Sequence, residues 1–312
     1  LELSFYIARC MEIRDNLRTI LGQEKEDYVY WAEISSTEGA NYALCAAPIN
    51  VAEELKIRVF DKIKVVVLTS ATLTTNKSFS YIRKRIGLDD GKELLLSSPF
   101  DYSSQAIIYI PPQMPEPWEE SHLYFSKVVE EAKKILRITE GSTFILFTSF
   151  QMLNQVYEEL KRDLDGFNIL RQGDMPRYQL LENFKRKRGS VLLGTNTFWQ
   201  GVDVPGEALR CVIIAKLPFA VPSDPVIEAK IEFLRSKGEN PFLSYQVPQA
   251  IILLKQGFGR LIRSKEDKGV VAILDPRLRT RYYGRLFLNS LPQCRMTSSL
   301  AEVEEFMKKT GE

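Results

Sequence analysis

The apolar positions of this chain change period several times, and each change marks an element. Tyr6, Cys10, Ile13, Leu17 and Ile20 recur at helical spacing, so the first residues read as an amphipathic helix already under way. A polar break at 22–27 follows. Residues 28–34 and 42–47 then read as strands, and 51–60 as a short helix after Pro48. The run 64–69 (KVVVLT) is continuously apolar, the pattern of a strand buried on both faces. Residues 79–87 are expected to be helical, with Arg83, Lys84 and Arg85 exposed.

Four prolines between 111 and 118 predict a stiff, non-helical boundary. Beyond it, helices and short apolar runs alternate. Helices are predicted at 121–138, 149–164, 176–186 and 225–236, and strands at 143–147, 167–171, 190–193, 210–215 and 269–274. A further helix is predicted over 248–262. This order implies an α/β fold, a mostly parallel sheet with helices on both faces.

At 312 residues the chain has room for two modest domains, and its 45% hydrophobic content suffices for real cores. The net charge of +2 neither demands nor excludes nucleic acid, because a local patch can bind phosphate. Cys10, Cys45, Cys211 and Cys294 are scattered without a CxxC pair, which disfavours a zinc ribbon or a clustered iron–sulfur site. Cys211 lies in an apolar run and is expected to be core. The single histidine, His122, disfavours His-based catalysis, so no metal site is expected here. No run approaches the roughly 20 apolar residues of a membrane span. Scattered thiols and the lack of a signal peptide suit a cytosolic protein.

In parallel sheets ligands gather at the carboxyl ends of the strands. Ser70 and Thr72 follow KVVVL, Thr148 and Ser149 follow FILF, Thr195 and Asn196 follow VLLG, and Lys216 follows VIIA. On a helix over 248–262, Gln249, Gln256, Arg260 and Arg263 share one stripe, with Ile251, Leu254, Phe258, Leu261 and Ile262 opposite. Paired guanidinium forks suit an anion with several oxygens, although a solvated basic face has the same spacing. Gly257 and Gly259 each cost a helix about 1 kcal/mol relative to Ala, which points to close packing or to a ligand at the backbone. In the stretch 194–206 (GTNTFWQGVDVPG), Asp203 stands isolated between two valines and needs donors around it. For Phe198 and Trp199 in that stretch, core packing is the competing reading. The basic run 185–188 reads as a solvated helix end.

These stretches together resemble the DinG and XPD branch of superfamily-2 helicases. The residues that carry the resemblance are QGFGRLIR at 256–263, TSATL at 69–73, FTSF at 147–150, GTNTFWQGVDVPG at 194–206 and KLPF at 216–219. They occur in family order and cover nearly the whole chain. The resemblance implies that Arg260 and Arg263, with Gln256 beside them, reach nucleotide phosphates across a cleft. It places Gly201, Asp203, Ser70 and Thr72 near the nucleotide, and Thr148, Ser149, Thr195, Asn196 and Phe198 near a DNA strand. The implied cofactors are ATP and magnesium, bound mainly by another domain. The implied partners are single-stranded or forked DNA and an N-terminal motor domain of the same protein.

No GxxxxGK[ST] loop or acidic DEAH-type box is present. In the family both belong to the first motor domain, and any iron–sulfur cysteines also lie there, so all are expected upstream of Leu1. Residues 1–27 are then the tail of a helical insertion, 28–99 the closing part of the first RecA-like motor domain, and 100–312 the second. The implied function is the C-terminal motor portion of an ATP-dependent DNA helicase, inactive alone. Competing readings are a non-catalytic nucleic-acid-binding or interaction domain, and a helicase acting on RNA or hybrids.

Overall fold

The structure, a computed structural model, describes residues 2–35, 41–117, 121–199, 204 and 206–309. The chain divides into two compact units. One comprises Leu1–Thr69, Phe79–Lys92 and Ala220–Gln246, and the other Ser70–Ser78, Glu93–Phe219 and Val247–Glu312.

The first unit holds the helix Glu2–Gly22 and an antiparallel pair, β1 (Tyr28–Ser35) and β2 (Asn41–Pro48). The helix Pro225–Ser236 packs against β1, and Val51–Leu55 packs against Ser80–Ile86. Gly87 ends the latter helix at φ +72°, and a Cβ there would run into the Ala52 carbonyl. Only Lys84 of the three basic residues expected outside is exposed. Arg83 is half-buried and donates to the carbonyls of Leu88 and Asp89, and Arg85 lies over the Tyr245 ring. The run 64–69 does not form a strand. Val65 and Val67 are 74% and 80% exposed. An apolar run becomes a strand only where neighbours supply the ladder, and no described residue pairs with it.

The second unit is built on a seven-stranded sheet, wholly parallel. Its strands are β3 (Ala106–Tyr109), β4 (Thr143–Leu146), β5 (Asn168–Arg171), β6 (Ser190–Gly194), β7 (Cys211–Ile214), β8 (Gly269–Ile273) and β9 (Arg295–Thr297). Their order is β5-β6-β4-β7-β8-β3-β9, so β4 and β7 lie near the middle. The core-facing strands are Val-, Ile- and Leu-rich because helices cover both faces. Cys211 is fully buried, and burial pushes its thiol up to about 12, as suits a core residue. Sequence pattern misses β3 and β9, which are short and flanked by polar or proline-rich residues.

Candidate nucleotide and nucleic-acid site

The carboxyl ends of β4 and β6 build the centre of the site. Beyond β4 the chain runs through Phe147, Thr148 and Ser149 into the helix Phe150–Asp163. Ser149 Oγ caps that helix by accepting from Met152 N at 3.3 Å. Ser149 is exposed and Thr148 half-buried. Two hydroxyl residues and a helix N-terminus therefore lie just past the end of β4, a suitable setting for phosphate oxygens.

Beyond β6, Thr195 is buried, and both its N–H and its hydroxyl donate to Gln172 Oε1, at 2.7 and 3.1 Å. Gln172, just past β5, therefore sets this turn, a role the sequence does not reveal. Asn196 opens the short helix Asn196–Trp199. Phe198 is 1% exposed, under the guanidinium of Arg177. Its ring is packed inside, as the core reading of this residue has it. Gly194 makes room for it, since a Cβ there would stand 2.7 Å from Phe198 Cβ. Gly201 and Asp203 lie outside the described residues.

Trp199 ties three parts of the site together. Its indole is fully buried and donates from Nε1 to the Phe147 carbonyl at 3.2 Å. Its ring lies against Gly257, where a Cβ would come within 2.9 Å of Cε3. Its own carbonyl accepts from Arg260 Nη2 at 3.0 Å and Nε at 3.2 Å. Gly257 therefore serves close packing, and the core reading of Trp199 is correct.

The arginines do not ride on the helix as the periodicity suggests. The helix is Val247–Phe258. Tighter turns follow, with Arg260 N donating to the Gly257 carbonyl at 3.2 Å and Leu261 N to the Phe258 carbonyl at 3.1 Å. Asp267 Oδ2 then takes the N–H groups of Arg263 and Ser264, at 2.7 and 2.9 Å. The buried set Ile251, Leu254, Phe258, Leu261 and Ile262 is as expected. Arg260 and Arg263 are half-buried beyond the helix end, on a fixed turn.

Ser70–Ser78 joins the site from a distant part of the sequence. Gln256 Nε2 donates to Thr72 Oγ1 at 3.4 Å, and Lys255 Nζ donates to the Thr74 carbonyl at 2.8 Å. Ser290 Oγ accepts from Asn76 N at 2.8 Å. Ser70 and Thr72 hydroxyls stand 3.4 Å apart. Among the described residues, the buried carboxamide oxygens of Gln249 and Gln256 meet no hydrogen-bond donor. Thus Ser70, Thr72, Gln256 and Lys255 form one linked group, and Trp199, Gly257 and Arg260 another, through the same helix and its end.

Two further residues went unnoticed in the sequence. Asp275 and Arg277 follow β8 and form a buried ion pair, Nη2 to Oδ2 at 2.6 Å. The D-x-R spacing at a strand end is the signal that identifies them. Among the described residues no group of three or more His, Cys, Asp or Glu is placed to hold a metal ion. No helix among them is long and apolar enough to cross a membrane.

Residues 132–294 match the family profile described as Helicase C-terminal domain. The chain is 36% identical over 306 residues to the ATP-dependent DNA helicase YoaA of Haemophilus influenzae, covering 98% of this chain and 47% of that protein. It is 39% identical over 297 residues to the 3'-5' exonuclease DinG of Bacillus subtilis, covering 90% of this chain and 30% of that one. The chain thus spans less than half the length of these relatives. An apo XPD structure shares the fold at a TM-score of 0.62 and 14% identity, covering 94% of this chain and 59% of the other.

Proposed function

Since the chain belongs to the helicase C-terminal domain family, we propose that it is the C-terminal motor portion of a DinG/XPD-like, ATP-dependent DNA helicase. In this reading residues 28–99 close the first RecA-like motor domain and 100–312 form the second. The parent protein couples ATP hydrolysis to movement along single-stranded DNA and to duplex separation.

The observation that carries the reading is the fixed position of Arg260. Two donors bind it to the Trp199 carbonyl, in the same unit as the hydroxyl-lined strand ends. Arg260 and Arg263 bring charge to the phosphoryl group, and Gln256 with Ser70 and Thr72 contributes amide and hydroxyl groups. The buried oxygen of Gln256, which meets no donor among the described residues, fits a site completed by a bound nucleotide. In this reading the chain's own part is orientation and charge. ATP with its metal supplies the phosphoryl group. Thr148 and Ser149, at the helix N-terminus, hold the phosphates of the DNA strand, and Asn196 lies beside it.

The 312-residue chain is tested directly. It should bind single-stranded DNA and show no ATP hydrolysis, because the sequence carries no phosphate-gripping GxxxxGK[ST] loop. Turnover by the purified chain, or failure to bind any strand, would overturn the proposal. An RNA strand in the same titration distinguishes DNA from RNA preference.

A further inference from the structure

Beyond β7 the chain turns through Lys216, Leu217, Pro218 and Phe219, a stretch to which the motor reading assigns no role. The turn is held from two sides. Leu217 N donates to Asp275 Oδ2 at 2.8 Å. Asp275 is fully buried, and its oxygens also accept from Arg277 N at 3.0 Å, Nε at 2.8 and 3.1 Å, and Nη2 at 2.6 Å. A carboxylate shared between a loop backbone and a guanidinium fixes both. The guanidinium in turn lies 5.1 Å from the Phe219 ring centroid, and that ring meets Tyr283 and Phe287 edge-on at 5.8 and 5.7 Å.

Lys216 stands at the head of this rigid turn, and it is half-buried. Among the described residues its ammonium makes no hydrogen bond and no ion pair. Burial lowers its proton affinity, the charge of Arg277 lowers it further, and Asp275 opposes them. A cation held partly out of water beside a second cation is unfavourable until an anion arrives. The location suits one. Ala215 N donates to the Leu146 carbonyl at 3.0 Å, so the end of β7 still runs beside the end of β4. Lys216 comes one residue later, near the start of the turn that carries Thr148 and Ser149.

We infer that Lys216 binds a phosphate group, with Asp275 and Arg277 as positioning residues that hold its turn. The inference rests on the reading of this edge as a face for nucleic acid or nucleotide. The phosphate belongs either to a DNA strand or to the nucleotide, and the two sources are separable by experiment.

The test uses the 312-residue chain with Lys216→Gln and Lys216→Arg, after melting curves establish that both fold as the parent does. A single-stranded dT oligonucleotide is titrated at several salt concentrations, and ADP is titrated separately. Loss of one strand phosphate contact should make the slope of log affinity against log salt shallower by about 0.7 in Lys216→Gln. Lys216→Arg should restore the slope. An unchanged slope with roughly tenfold weaker ADP binding supports the same role with the nucleotide as the source. If the parent chain binds both ligands and Lys216→Gln binds both equally well, the inference is wrong and the motor reading stands. If the parent chain binds neither ligand, the motor reading fails and the inference falls with it.

Discussion

The guanidinium of Arg260 is fastened to the carbonyl oxygen of Trp199 by two donors, Nη2 at 3.0 Å and Nε at 3.2 Å. The two residues are far apart in sequence, yet each fixes the other. Trp199 in turn is held by the Phe147 carbonyl and by the flat surface left at Gly257. The position of the arginine therefore depends on a buried aromatic ring and on a missing side chain.

Gly257→Ala tests that dependence. A Cβ at this position would stand 2.9 Å from Trp199 Cε3 and 3.0 Å from Cζ3, inside contact distance. Overpacking of this kind costs about 1–3 kcal/mol. The substitution should lower the melting temperature of the second unit and also reduce ATP turnover of the full-length protein. Loss of stability without loss of turnover would show that the Trp199 carbonyl does not govern Arg260.

Asp275→Asn should be more damaging to stability than its conservative chemistry suggests. Asp275 is wholly buried and Arg277 nearly so, and the change leaves the guanidinium with no compensating charge. Breaking such a pair costs about 3–5 kcal/mol. Urea unfolding of the chain and the variant measures it, and a difference below roughly 1 kcal/mol would contradict the role assigned to the pair.

Lys230 gives the first unit a distinctive dependence on pH. It is 7% exposed, donates to Asn50 Oδ1 at 3.0 Å and lies 4.9 Å from the Phe233 ring centroid. Burial pushes its ammonium down to about 8, helped by Arg85 and Lys84 and opposed by Glu239. The unfolded chain keeps that proton up to the ordinary value of 10.5. Between these values the unfolded state binds more protons, so stability should rise with pH through the window. Below it both states are protonated and the full penalty of the buried charge remains. Urea unfolding at a series of pH values should show this rise, and Lys230→Met should remove it. An identical slope in the variant would rule Lys230 out as the cause.

The sequence made the parallel sheet legible because buried strands are short, continuous apolar runs. β4, β6, β7 and β8 are all read this way, within a residue or two. The same rule overcalls 64–69, since an apolar run specifies a strand only together with its neighbours. The arginine stripe was half legible. Leu261 and Ile262 continue the apolar rhythm past Phe258, but the capture of two N–H groups by Asp267 turns the chain out of the helix. Periodicity cannot register a side chain that competes for backbone donors. Trp199 as the link between Phe147, Gly257 and Arg260 was not legible, because those contacts span about fifty to sixty positions. The hint was the pair of glycines, whose cost to a helix calls for a packing reason.

The most direct test is Arg260→Ala in the full-length protein, with ATP hydrolysis and single-stranded DNA binding measured together. An arginine acting on the phosphoryl group is worth about 10³–10⁵ in rate, so turnover should fall by that order while DNA affinity is kept. Hydrolysis at the parent rate would contradict the account, as would loss of DNA binding in step with loss of turnover.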